Sequence, residues 1–346
     1  MNWLPSFPAH AGLTPKPLRW HEKTIKLPKD DPLGHFLAQK SIKNLQIWQL
    51  ETNLQFPFGF FRVQGEYQYQ SINWFVKLVT PSQASRQLKA NQLCVFLQQR
   101  GVETVCLLEN LSIPLSEKVV SLVSNFKEFR FGDVDDLDVL ALAVGDLHQS
   151  MLAYPFAKDV KLAAKGREQV LLKRWKDIQQ VDSHQTIPKE ALQILKTHTI
   201  DFACLTEHAQ VVHGDLNVGN ILFQHHGKIA FIDFEDSQTA WFSPLVELAF
   251  VIERFLLIDE IEDKFVTKAV SFLKSYPLIL HFPTNTILVE ILQCLAIRSM
   301  LLLAELVYTN QNVANSEWQK FVYLYSLAEQ KRPNLIAIVE SVTKNK

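Results

Sequence analysis

The segment Val211 to Asp236, VVHGDLNVGNILFQHHGKIAFIDFED, constrains this chain more than any other stretch. Two apolar runs, Asn220-Ile221-Leu222-Phe223 and Ile229-Ala230-Phe231-Ile232, read as short buried strands. His225-His226-Gly227-Lys228 joins them, a turn with glycine where φ > 0 is useful. Such a hairpin brings Asn220, just before the first run, close to Asp233, just after the second. With His213 and Asp215 the pattern is H-G-D-x-x-x-x-N, then Asp on the returning strand. That spacing supplies a carboxylate base in Asp215 and two hard oxygen ligands in Asn220 and Asp233. Phosphoryl transfer asks for these parts: a group to take a hydroxyl proton, and ligands to hold Mg²⁺ against nucleotide phosphates.

Composition sets the outer limits. A chain of 346 residues with 47% hydrophobic content buries a substantial core, and its length suits two lobes. Thirty-five basic against 36 acidic residues leave a formal charge of −1, which gives no global electrostatic case for nucleic acid or an anionic membrane surface. The four cysteines, Cys94, Cys106, Cys204 and Cys294, include no C-x-x-C pair, which argues against a zinc site or a disulfide framework and suits a reducing compartment. The N-terminus lacks a basic start followed by an apolar stretch, and no uninterrupted run of about eighteen apolar residues occurs, so the expectation is a cytoplasmic protein with no membrane partner.

Pattern shifts divide the chain into an arm at 1–40, an N-lobe at 41–124 and a C-lobe at 125–346. Pro5, Pro8, Pro15, Pro17, Pro28 and Pro32 predict an extended arm without regular structure. The runs LQIWQLE, GFFRVQG and NWFVKLV predict an antiparallel sheet, and Ser85 to Gly101 a helix stopped by glycine. Lys118 to Val123 reads as a further strand and Ser124-Asn125-Phe126 as a hinge. Beyond it the pattern is mainly helical, with long apolar helices at Leu245 to Ile258 and Thr286 to Tyr308.

HGDLNVGNILF, then IDFED, then SPLVELAF resembles the aminoglycoside phosphotransferase and choline kinase superfamily, whose motifs are HGDxxxxN, a metal motif like [IV]D[FW]E, and a helix beginning Pro-x-x-Asp-Leu-Ala. LALAVGDLHQSM, Leu140 to Met151, is similar to the family's helix ending in Leu-His, so the resemblance runs from about residue 41 to the C-terminus. Protein kinases differ, with His-Arg-Asp and Asp-Phe-Gly at the equivalent places. The resemblance implies an α+β, two-lobed protein-kinase-like fold with a small antiparallel sheet in the N-lobe and a mainly helical C-lobe. It implies transfer of the γ-phosphoryl group of ATP, with Mg²⁺, to a hydroxyl of a small, amine-bearing metabolite or aminoglycoside-like compound. The alternative is a pseudokinase-like module that binds nucleotide without transfer.

The same resemblance implies that Lys77, in WFVKLV, contacts the α- and β-phosphates, and that His213 and Glu247 support the catalytic loop. Two departures stand out. Thr80 to Val102 contains no Asp or Glu to pair with Lys77, leaving Asn91, Glu103 or Glu109 as candidates, and the turn TNLQFPFG has a single glycine. Phe56, Phe58, Phe60 and Phe61 read either as a lid over the nucleotide or as strand residues facing the core. Glu235 and Asp236 are candidate substrate-binding residues, whose charge would favour an amine-bearing alcohol; solvated turn carboxylates are the other reading.

Overall fold

The computed structural model describes residues 21, 24–27, 31–51, 54, 57–180, 186–198, 201–258 and 264–344. The regular elements are, in chain order, α1 (Pro32–Gln39), β1 (Lys43–Gln49), β2 (Gly59–Tyr67), β3 (Gln70–Val79), α2 (Pro81–Gln99), β4 (Val120–Asn125), β5 (Arg130–Phe131), α3 (Leu137–Met151) and α4 (Ala157–Gln179). Then follow α5 (Lys189–Thr197), α6 (Ala203–Thr206), β6 (Gln210–Val211), β7 (Ile221–Phe223), β8 (Ile229–Phe231), β9 (Trp241–Phe242), α7 (Pro244–Ile252), α8 (Phe265–Ser275), α9 (Ile287–Tyr308), α10 (Asn315–Gln330) and α11 (Arg332–Thr343). The α+β class expected from the sequence is what the structure has: a four-stranded antiparallel sheet, then a largely helical part. The described residues form two compact units, one within Pro17–Phe131 and Gly219–Glu235, the other within Gly132–Val218 and Asp236–Lys346.

In the first unit the sheet runs β1-β2-β3-β4. Alternation along β2 and β3 sends Phe61, Val63, Trp74, Val76 and Leu78 to one face, where they pack with Leu33, Phe36 and Leu37 of α1. The arm therefore contains a helix where the proline density predicted none. Pro32 occupies its first turn, where the missing N–H costs nothing, and Asp31 caps it by accepting from Gly34 N at 2.8 Å. Pro5, Pro8, Pro15, Pro17 and Pro28 lie outside the described residues. On the other face Val79, Val120 and Leu122 meet Ala84 of α2, and the period-two pattern puts Lys77 on this side. A capping box between Thr80 and Gln83 starts α2, and Gly101 at φ +84° lets the chain leave it. Phe61 is core and Phe58 packs against it, while Phe60 stacks on Phe75 at 6.0 Å; Phe56 is outside the described residues.

In the second unit α3, α7 and α9 are the helices with the most buried residues. The helix Ile287–Tyr308 is long and apolar enough to cross a membrane by length and composition, but most of it is buried within its unit, as in the core helix of a globular protein. All four cysteines are free thiols; Cys94 and Cys294 are buried, Cys106 and Cys204 half-buried.

Candidate active site

The segment singled out in the sequence falls on both units: His213, Gly214 and Asp215 in the second, Asn220 and Asp233 in the first. β7 and β8 pair antiparallel from Ile221↔Phe231 to Phe223↔Ile229, and Ile232 N donates to the Asn220 carbonyl at 3.1 Å. The hairpin closes as its sequence requires, with Gly227 at φ +74° in the connection. Asn220 and Asp233 thus flank adjacent strand ends. Asn220 is buried. Asp233 sits at φ +67°, a left-handed conformation that aspartate tolerates better than most residues and that recurs at functional positions.

Lys77 has no acid on α2, as the sequence foretold. Glu103 pairs instead with Lys228 at 3.1 Å, and the Asn91 side chain accepts from Leu107 N at 2.8 Å. Glu235 feels the Lys77 charge. Burial pushes the Glu235 carboxyl up, Asp233 adds to that, and Lys77 and Arg86 oppose it. Arg86 of α2 approaches Glu235 at 3.5 Å. The helix α2 thus contributes a base, Arg86, next to the acid that follows β8.

In the second unit the loop hangs on one carboxylate. Glu247, in the first turn of α7, accepts from His213 N at 3.1 Å and from Gly214 N. Its Oε2 is also 2.9 Å from His148 Nε2, and His148 Nδ1 lies 2.8 Å from the Tyr276 hydroxyl. Burial opposes ionisation of Glu247, but the hydrogen bond and charge of His148 and the Gly214 N–H hold its carboxyl below the usual range. Gly214 is at φ +89°, and a Cβ there would lie 2.9 Å from Ala240 Cβ and 3.2 Å from Asp236 Cβ. The glycine between His213 and Asp215 is therefore required by space as well as by conformation. His213 is fully buried; its carbonyl accepts from Ser237 Oγ at 2.8 Å and its Nδ1 accepts from Asp215 N at 3.3 Å.

Asp215 follows at once. Asn217 Nδ2 donates to its Oδ2 at 2.8 Å. Burial raises its pKa above 3.8, the Asn217 hydrogen bond and the charges of His213 and Arg254 lower it, Asp236 raises it further, and the net shift is upward. Asp215 and Asp236 line a cavity of about 240 Å³ with Phe242, Phe250, Arg254, Arg298 and Lys320. His148, Arg254, Arg298 and Lys320 did not stand out in the sequence as parts of this site. His225 and Lys228 lie at the hairpin turn, away from the strand ends that carry Asn220 and Asp233.

A four-stranded antiparallel sheet, a largely helical remainder and this clamped loop define the protein-kinase-like class of folds. The phosphotransferase enzyme family matches residues 60–265, and the chain belongs to that family. No curated protein matches it. Among solved structures it is similar to an aminoglycoside phosphotransferase from Alicyclobacillus acidocaldarius, at 11% identity and a TM-score of 0.51 over 94% of this chain and 98% of that one. A choline kinase from Streptococcus pneumoniae matches at 13% identity and a TM-score of 0.54 over 86% and 99% of the two chains. A spectinomycin phosphotransferase, solved with ADP and spectinomycin, matches at 13% identity and 0.52 over 89% and 97%. At these identities the likeness is one of fold.

Proposed function

We propose that this protein is a small-molecule kinase that transfers the γ-phosphoryl group of ATP to an alcohol. The observation that carries the reading is Asp215, a half-buried carboxylate facing a cavity on a loop whose two preceding N–H groups are locked to Glu247. Asp215 takes the proton of the acceptor hydroxyl. The acceptor oxygen bonds to the γ-phosphorus, the bond to the β–γ bridging oxygen breaks, and its electron pair leaves with ADP. Lys77 holds the α- and β-phosphates, with Glu235 and Arg86 fixing the charge around it. The catalysis is positioning and electrostatics, since this transition state asks little covalent help of a protein.

The donors fit a hard divalent cation. Asn220 and Asp233 offer oxygen ligands from adjacent strand ends, and the left-handed backbone at Asp233 sets that side chain apart from its strand. Mg²⁺ held there would neutralise charge on the phosphate oxygens. His213 and Glu247 are supports of the loop in this reading. A nucleotide-binding module without transfer would rest on the missing acid of α2, and Glu235, whose carboxyl feels the Lys77 charge, weighs against it.

Thermal unfolding with Mg²⁺, ATP and both together tests the nucleotide site, because ligands of the native state raise the Tm. The expected result is a joint shift larger than the sum of the separate ones, lost in Asp233→Ala and kept in His225→Ala. A joint shift that survives Asp233→Ala would overturn the ligand assignment.

A further inference from the structure

The cavity beside Asp215 carries a charge pattern that the loop motif does not encode. Beyond α7 the helix continues through a π-helical turn, Glu253–Leu257, which includes Arg254; α9 contributes Arg298 and α10 contributes Lys320. Four carboxylates share the lining with these three cations, but most of them are committed. Asp215 is the proposed base. Glu247 is occupied by His213 N, Gly214 N and His148. Glu253 is buried beside Arg254; burial pushes its carboxyl up and the Arg254 charge opposes that. Asp236 is the fourth, and its charge reaches Arg298, as does that of Glu168.

The two arginines are poorly satisfied. Arg254 is 11% exposed, and its buried Nε has no hydrogen-bond acceptor, although Glu253 Oε2 lies 3.3 Å away. Its guanidinium lies over Phe250, 4.6 Å from the ring centroid. Arg298 lies over Phe242 at 5.1 Å and makes no hydrogen bond or ion pair among the described residues. Burial, then the like charge of Arg167, brings its pKa down to about 10; burial, then Arg254, brings Lys320 down to about 8. Crowded, desolvated cations of this kind gain from an incoming anion, and a guanidinium takes carboxylate or phosphate oxygens in pairs.

We propose that the acceptor carries an oxyanion group, a carboxylate or a phosphate, besides the hydroxyl it offers to Asp215, and that Arg298, with Arg254 and Lys320, binds that group. This rests on the kinase reading above and names the substrate class for it. A cavity of about 240 Å³ takes a compound of roughly a dozen non-hydrogen atoms at interior packing density. Phe242, Phe250 and Leu302 supply apolar walls for its carbon skeleton. The amine-bearing acceptor expected from Glu235 and Asp236 would meet three like charges here, and Glu235 lies in the other unit, engaged by Arg86. The anion takes no part in bond making: the acceptor hydroxyl loses its proton to Asp215 and ADP leaves with the bridging oxygen.

The test measures phosphoryl transfer from Mg-ATP and thermal stabilisation side by side on the full chain. The probes are glycerate and gluconate as hydroxy acids, glycerol 3-phosphate and ribose 5-phosphate as phosphorylated alcohols, glycerol and ribose as neutral alcohols, and choline and ethanolamine as cations. The expected result is that acids or phosphorylated alcohols stabilise the protein and accept phosphate, the two arms telling carboxylate from phosphate. Arg298→Gln should raise the KM for that class about 10-fold or more, Lys320→Gln should act in the same direction, and Arg298→Lys should restore part of the loss. Stabilisation by Mg-ATP should be unchanged in all three. Cationic or neutral alcohols as the preferred acceptors, with a KM insensitive to Arg298→Gln, would overturn the proposal and leave the kinase reading standing. Saturable binding of acids through Arg298 without transfer to any probe would overturn the kinase reading and leave the oxyanion site. No stabilisation by any acid or phosphorylated alcohol at millimolar concentration overturns the proposal.

Discussion

Asp215→Asn should lower kcat by ~10²-fold or more while leaving the stabilisation by Mg-ATP in place, because it removes a general base and keeps its shape. The fold should not suffer. Burial raises the Asp215 pKa above 3.8, so its ionised form is penalised in the native state and the neutral amide relieves that penalty at neutral pH. A Tm equal to or above that of the wild type, with transfer lost, is the expected pair of results. The same shift sets the pH profile. Since the base works only when ionised, kcat in the wild type should fall as pH drops through a value above 3.8, an acid limb higher than an ordinary aspartate would give. A wild-type rate in Asp215→Asn would remove the base from the mechanism.

The largest effect on stability is expected at Glu247. Replacing it by Ala strips acceptors from the N–H groups of His213 and Gly214 and leaves His148 Nε2 facing a void. Breaking a buried pair in this way costs about 3–5 kcal/mol, a large part of the ~5–15 kcal/mol that holds a typical domain together. Denaturant unfolding followed by fluorescence gives the number. The acid side follows from the depressed pKa. The carboxyl titrates below the ordinary glutamate value of 4.5 in the native state, so its contribution is fully present above that pH and is lost as pH falls through the lower, native value. In Glu247→Ala that part of the acid dependence should be missing. A ΔΔG under about 1 kcal/mol would mean that the loop is held by something else.

The parts of this site that sequence made legible are the local ones. His213, Asp215, Asn220 and Asp233 stand within a segment whose strands and turn follow from apolar runs and one glycine, so spacing alone determines their neighbours. Long-range partners carry no such signal. His148 and Glu247 are 99 residues apart, and each alone reads as a helix-end polar residue until the fold places them 2.9 Å apart. Arg86 and Glu235 meet only because β3, α2 and the hairpin share a unit. The cationic wall comes from three helices. Arg298 left one trace, as the lone base in the apolar run of α9, where an ionised side chain needs a reason. The helix in the proline-rich arm was missed because proline was read as a breaker, whereas at the first turn it is a starter.

The central claim is that this chain moves a phosphoryl group and does not merely hold a nucleotide. It is tested most directly by incubating the protein with Mg²⁺ and ATP labelled at the γ-phosphate together with a mixed pool of small alcohols, and following the label by chromatography. Label is expected in an organic product distinct from ATP and inorganic phosphate, formed by the wild type and absent with Asp215→Asn. ATP that binds and stabilises the protein but yields no such product across acidic, neutral and cationic alcohols would contradict it.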